Sequence, residues 1–130
     1  VDYSVLAGLR LEIRRFLRAS EEMVRAAGLE PQQHHLLLAM RGMPPGVEPT
    51  ITEFAARLQI RHHSLVELVD RMERRQLVRR RRSERDRRKV LVDLTPEGER
   101  LLDSLAAAHR KELESAAPEL LRALAELVAR

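Results

Sequence analysis

The stretch LVRRRRSERDRRKVLVDLTPEG, residues 77–98, decides how the chain is read. Leu77-Val78 leads into the basic run Arg79 to Arg82, and Lys89 to Leu94 places Val90, Val92 and Leu94 on one face at a period of two. The polar segment Ser83 to Arg88 between them has the length of a hairpin tip, so two strands joined by a tight connection are predicted. Thr95-Pro96-Glu97 then reads as a helix start, with Thr95 as N-cap, Pro96 at the first helical position and acid in the first turn.

Upstream, Thr50-Ile51-Thr52-Glu53 has the form of a reciprocal capping box and opens a short helix through Leu58. Gln59 and Ile60 make a turn. A second helix beginning near Arg61 or His62 carries Ser64, Leu65, Leu68, Val69 and Met72 and runs to about Arg75. Two short helices separated by so few residues form a helix-turn-helix, and the hairpin after it is a wing.

The flanks are helical. Apolar residues from Ser4 to Ala27 recur at steps of three and four, with Gly28 closing the helix. Pro31 opens a second helix bearing Leu36, Leu37, Leu38 and Met40, and Gly42 to Pro49 is a loop. Beyond Thr95 a long helix passes His109, and Pro118 opens a last one with Leu120, Leu121, Leu124, Leu127 and Val128 as its stripe. The expected fold is therefore mainly α with a small β-hairpin wing, a winged helix-turn-helix flanked by N- and C-terminal dimerisation helices. A single domain over 1–130 is expected, with 31–95 as the winged lobe and 1–30 and 96–130 as the dimerisation helices. Leucines at helical spacing become an interface between two copies because 130 residues leave little body to cover them.

Charge is unevenly placed. Between Arg71 and Lys89 stand eleven basic residues against three acids, a local excess of eight; with a formal net charge of +4, the rest of the chain carries a deficit of four. A concentrated cationic patch on an otherwise acidic chain is the footprint of a surface that meets a polyanion, and nucleic acid is the partner it implies. With no cysteine, disulfides, thiolate metal sites and thiol redox sensing are excluded. No apolar stretch approaches the ~18 residues of a membrane span, and Val1 to Arg10 lacks the layout of a secretory signal, so a cytoplasmic location is expected. Because the chain begins at Val1 without a methionine, an element ahead of it is left open.

Neither histidine pair, His34-His35 or His62-His63, has a third ligand at metal spacing, and neighbours on a helix point about 100° apart. Ser64 beside His63 fails as a nucleophile and base for the same reason. No metal, cofactor or catalytic residue is expected, and the chain is not read as an enzyme.

The run Arg57-Leu58-Gln59-Ile60 to Asp70-Arg71-Met72-Glu73, then Leu77-Val78-Arg79-Arg80, then Asp86-Arg87-Arg88-Lys89 to Leu94-Thr95-Pro96-Glu97-Gly98, resembles the signature of the MarR (multiple antibiotic resistance regulator) family. The resemblance covers the helix-turn-helix and wing; the flanking helices match in order and length. It implies a homodimer of interlocked terminal helices whose two lobes straddle a pseudo-palindromic double-stranded operator, acting as a transcriptional regulator, a repressor. Arg88 would enter the minor groove, where A·T-rich sequence concentrates negative potential, and Asp86 would orient it. His62, His63 and Ser64 would lie nearest the bases, Arg61 and Arg71 on phosphates, with Thr50, Thr52, Glu67, Arg85, Arg87 and Lys89 completing the DNA-facing set. Glu67 would accept from a cytosine amine, repel wrong sequences, or point away. Gln59 stands where the family often has a turn glycine, Arg61 where it often has a capping serine, and Gln76 where a glycine commonly ends the recognition helix. The resemblance further implies release by a small lipophilic or aromatic-acid effector, with Arg15, His34, His35 and Leu38 as candidate contacts. The alternatives are a non-specific architectural nucleic-acid-binding winged helix and a winged-helix module that docks a protein.

Overall fold

A computed structural model describes residues 2–129. It has the element order α1 (Tyr3–Ala26), α2 (Pro31–Arg41), α3 (Ile51–Leu58), α4 (His62–Arg74), β1 (Val78–Arg82), β2 (Val90–Leu94) and α5 (Pro96–Val128). The chain divides into two compact units, Leu29–Asp103 on one hand and residues 2–28 with 104–129 on the other. The mainly helical fold with a small antiparallel hairpin is the one the sequence pattern predicts.

In the unit Leu29–Asp103, α2 packs on α3, α4 and β2, and α3 on α4 and β2. Leu36, Leu37, Phe54, Leu65, Val69 and Met72 are wholly buried between them, joined by Val78 and Val92 from the hairpin. Each such side chain removed from water contributes about 1.5–3 kcal/mol, so this apolar cluster holds the helix-turn-helix to the wing.

Both helices of the helix-turn-helix end in the same way. Gln59 has φ 56° and Gln76 has φ 60°, the left-handed conformation in which glycine is usual. After each, the chain closes a Schellman pair: Ile60 N–H donates to the Ala55 carbonyl and Gln59 N–H to Ala56, then Leu77 N–H to Met72 and Gln76 N–H to Glu73. The turn geometry is thus kept without glycine, at a conformational cost of about 1 kcal/mol per glutamine.

The hairpin pairs Val78 with Leu94, Arg80 with Val92 and Arg82 with Val90. Alternation predicted one inward face of Val90, Val92 and Leu94; instead Leu91 and Val92 are both buried, while Val90 and Leu94 are only half-buried. The cause is a third short segment on the edge of β2. Thr50 bridges to Leu91, and Val92 N–H donates to the Pro49 carbonyl, so the end of the 42–49 loop covers the face that the pattern left open.

Three other expectations are corrected. The Thr50–Glu53 box forms only by half: Glu53 N–H donates to Thr50 Oγ1 at 3.0 Å, but the Glu53 carboxylate takes the Arg57 guanidinium at 3.0 Å instead of reaching back. The first helix begins one residue earlier than Ser4, because Asp2 caps it by accepting from Ser4 and Val5 amides. Pro118 does not open a separate helix but lies inside α5. Proline removes one donor and disturbs the carbonyl four residues back, here that of exposed Glu114, which water can satisfy, and flanking Ala, Leu and Glu residues carry the helix through.

The start of α5 is fastened to the end of α4. Thr95 N–H donates to the Leu77 carbonyl at 3.1 Å, while Thr95 Oγ1 donates to the Gln76 carbonyl and accepts from Gly98 N–H. A β-carbon at position 98 would stand 2.2 Å from the Leu77 carbonyl oxygen, so only glycine permits this approach.

In the second unit, α1 and the later part of α5 carry a cross-helix bond between Ser20 Oγ and His109 Nε2 at 2.6 Å. His109 Nδ1 lies 2.9 Å from the Leu105 carbonyl and donates there. Leu11, Leu17, Leu113, Leu121 and Leu124 are exposed on these helices. No helix among the described residues is long and apolar enough to cross a membrane.

Candidate nucleic-acid interface

The α4 N-terminus starts at His62 after Arg61, an N-cap residue whose side chain makes no capping bond. The first intrahelical acceptor is the Arg61 carbonyl, taken by Leu65 N–H, so the amides of His62, His63 and Ser64 have no partner within the helix. Open amides and the positive end of the helix dipole, with exposed Arg61, His62 and His63 around them, suit an anion. Where a capping serine would occupy one of these amides, arginine leaves it open. Ser64 is half-buried. His63, Glu67 and Arg71 follow at i, i+4 and i+8 on one exposed face, and Glu67 has no ion-pair partner among the described residues.

At the wing tip, Asp86 grips Arg88. Its two carboxylate oxygens accept from Arg88 Nε at 3.0 Å and Nη2 at 3.2 Å, and Oδ1 also accepts the Arg88 amide at 3.1 Å. These bonds hold the Asp86 carboxyl below its ordinary range, the Arg88 guanidinium being the main cause. The Arg88 side chain is nevertheless 91% exposed, so it is aimed without being covered. The tip itself is organised by Ser83, which is buried: its hydroxyl accepts from the Arg85 and Asp86 amides and donates to Glu48 Oε2 at 3.2 Å. The other Glu48 oxygen lies 3.2 Å from Lys89 Nζ, and this contact chiefly holds the Glu48 carboxyl below its ordinary range.

The cations of the basic run, indistinguishable by composition, have different employments. Arg80 is turned onto α4, where its guanidinium bonds Asp70, Glu73 at 2.7 Å and the Val66 carbonyl at 3.2 Å, and its backbone amide donates to Glu73 at 2.9 Å. That amide is the main reason the Glu73 carboxyl is held low. The cluster ties β1 to the recognition helix. Arg81 pairs with Asp93 across the hairpin, and Arg82 donates to the Arg87 carbonyl. Arg71, Arg74, Arg79 and Arg87 are exposed and form no ion pair among the described residues, and exposed Arg85 feels the Glu48 charge without pairing with it.

Thr50, Thr52, His62, Arg85, Arg88 and Lys89 line one open groove between the wing, the start of α3 and the start of α4. Six of the candidate DNA contacts are therefore brought together by the fold, with Glu48 and Glu53 as the acids beside them. His63, Glu67 and Arg71 lie along α4 outside the groove lining, and Arg87 is on the wing. Glu48, Ser83 and the Arg80 cluster were not singled out by the sequence reading. A serine two and three residues ahead of the amides it accepts is a recognisable turn pattern and was the available signal for Ser83.

The candidate effector contacts are dispersed between the units. Arg15, on α1, is exposed and pairs with Glu12 at 3.0 Å. On α2, His34 is buried, His35 is exposed with Nδ1 3.3 Å from Gln32 Oε1, and Leu38 is 48% exposed. Among the described residues no group of three His, Asp or Glu is placed to hold a metal ion.

Residues 27–89 match the sequence model of the MarR family. An uncharacterized HTH-type transcriptional regulator of Bacillus subtilis (strain 168), YsmB, is 33% identical over 64 residues, covering 49% of this chain and 44% of that relative. The match thus spans less than half the length of the curated relative. Among solved structures, the S. aureus MepR-DNA complex superposes with a TM-score of 0.72 at 20% identity, covering 92% of this chain and 85% of that one, a likeness of fold. CouR from Rhodococcus jostii RHA1, solved bound to p-coumaroyl-CoA, has a TM-score of 0.66 at 25% identity, covering 87% and 83%.

Proposed function

We propose that the chain, whose residues 27–89 match the MarR family model, works as a homodimeric, sequence-specific double-stranded DNA-binding regulator that represses transcription. The observation that carries this is the groove in which Thr50, Thr52, His62, Arg85, Arg88 and Lys89 converge beside the open α4 amides. In this reading α4 enters the major groove with His62, His63 and Ser64 at the bases. Arg61, Arg71, Arg85 and Arg87 neutralise phosphates, and Lys89 lies beside them paired with Glu48. Glu67, on the same face of α4, accepts from a cytosine amine, repels wrong sequences or points away, and Arg88, held by Asp86, enters the minor groove. The MepR-DNA complex, of the same fold, supports duplex DNA as the partner.

Two copies are needed because one lobe covers only a half-site. Exposed Leu113, Leu121 and Leu124 on α5, with Leu11 and Leu17 on α1, support burial of these helices against a second chain. A small lipophilic or aromatic-acid effector is the regulating ligand; the CouR complex with p-coumaroyl-CoA supports a small molecule of this general kind. Such a ligand acts only through different affinity for the DNA-competent and incompetent states.

The test is selection of duplexes from a randomised 30-bp pool, followed by titration of the selected duplex against a scrambled one at fixed salt. A pseudo-palindromic consensus bound by two chains, weakened roughly tenfold or more by Arg88→Ala, is the expected outcome. Equal affinity for every duplex would leave only an architectural binder, and salt-insensitive indifference to DNA would leave a protein-docking module.

A further inference from the structure

The wing arginine is aimed by a relay that begins outside the wing. Glu48 lies in the 42–49 loop, immediately before Pro49, which biases it to extended backbone. Its position is fixed from the C-terminal side: Thr50 N–H donates to the Glu48 carbonyl at 2.8 Å, and the next two residues are bound to β2 through the Pro49 carbonyl and the Thr50–Leu91 bridge. From there the Glu48 carboxylate accepts the hydroxyl proton of Ser83. Ser83 has one proton to give, and with it committed to Glu48, both lone pairs of its oxygen face the tip and take the Arg85 and Asp86 amides. Asp86, so placed, holds the Arg88 guanidinium through both oxygens, and its carbonyl takes the Lys89 amide at 2.9 Å.

We propose that Ser83 and Glu48 are positioning residues for DNA recognition: they orient Asp86 and through it Arg88, while the Glu48 charge holds Lys89 back from the phosphates. This rests on the DNA-binding reading above. Ser83 is 2% exposed and cannot itself touch a duplex, so any effect of its loss on DNA is exerted through the tip. Glu48 has two separable roles. As an acceptor it orders Ser83, which a glutamine could also do; as a charge it neutralises Lys89, which a glutamine could not.

The experiment uses the full chain with Ser83→Ala, Ser83→Thr, Glu48→Gln, Glu48→Ala and Arg88→Ala, each alone, and Ser83→Ala combined with Arg88→Ala. Affinity is read on the duplex selected by the wild-type chain and on a generic 30-bp duplex, across a salt series. In the free protein, the Arg88 Nε–H resonance is followed by NMR for protection from solvent exchange. Ser83→Ala is expected to lose that protection and to weaken the selected duplex roughly as much as Arg88→Ala does, with the double variant no worse than Arg88→Ala alone. Ser83→Thr restores both. Glu48→Gln is expected to keep the protection and to bind the generic duplex more tightly, with a salt slope steeper by roughly one per chain as Lys89 is freed, whereas Glu48→Ala loses the protection. If Ser83→Ala leaves the resonance protected, or its effect on affinity simply adds to that of Arg88→Ala, the relay is overturned. If the resonance behaves as described but Arg88→Ala binds every duplex like wild type, the DNA reading fails and the positioning of Arg88 stands.

Discussion

Replacing Gly98 by alanine tests whether the contact between α5 and the end of α4 is as close as it stands here. The added β-carbon would lie 2.2 Å from the Leu77 carbonyl oxygen and 3.2 Å from its carbonyl carbon. Ordinary contact begins near 3.4 Å, so the two backbones must part by about 1.2 Å. Neither is a flexible side chain, and the separation stretches the bond from Thr95 N–H to Leu77 and the cap from Gly98 N–H to Thr95. One hydrogen bond and one N-cap are each worth about 1 kcal/mol, and residual overpacking about as much again, which totals roughly 3 kcal/mol. For a chain of this size that lowers Tm by roughly 10 °C. Thermal unfolding followed by circular dichroism at matched protein concentration reads the effect. Gly8→Ala is the control: a β-carbon there meets nothing within 4 Å, and alanine inside α1 should raise stability by about 0.5–1 kcal/mol. A Gly98→Ala variant melting within a degree or two of the unaltered chain would show that the approach is looser than stated and the reasoning wrong.

Gln59→Gly and Gln76→Gly should each stabilise the chain by about 0.5–1 kcal/mol in urea titrations, because both glutamines are held at positive φ; a destabilised variant would mean that the side chain contributes more than the backbone loses. The Glu73 carboxyl is held below its usual value of 4.5, so its contribution to stability is complete above about pH 4.5 and is lost as pH falls through the lower folded value. Glu73→Gln should accordingly flatten the fall in Tm on acidification below pH ~4.5, and an unchanged acid profile would remove the Arg80 cluster from the account. Arg71→Ala should reduce the slope of log Kobs against log salt by roughly two per dimer, whereas Arg81→Ala, whose charge is already met by Asp93, should change it by less. Leu121→Glu places charge on an exposed apolar face of α5 and should shift sedimentation toward the single chain; an undisturbed dimer would locate the interface elsewhere.

What the sequence made legible was governed by local rules. Periodicity placed the helices and the hairpin and Thr95-Pro96 marked the start of α5, while the resemblance to the MarR signature pointed to the Asp86 and Arg88 pair that the structure joins. What it concealed depended on register and on contacts distant along the chain. In the run Arg79 to Arg82 all four residues read alike, yet strand alternation turns Arg80 onto Asp70 and Glu73 and leaves Arg79 outside. The alternation of Val90, Val92 and Leu94 gave no sign that Leu91 is buried, because the segment that pairs beside it, Pro49 and Thr50, comes from about forty residues earlier. Pro118 read as a boundary because a local propensity was given more weight than the helix-forming residues on either side. Ser83 read as one polar residue among several in a turn, and nothing nearby in sequence announces Glu48 as its acceptor.

The grip of Asp86 on Arg88 has an electrical consequence. A guanidinium that carries its own carboxylate reaches the duplex with its counter-ion already attached, so its insertion expels few condensed cations and is little penalised by added salt. The bare arginines of α4 have no such companion. As ionic strength rises, the bare arginines of helix and wing alike should loosen their hold first while the Arg88 side chain stays lodged, which would make that single insertion the last contact of the lobe to leave DNA.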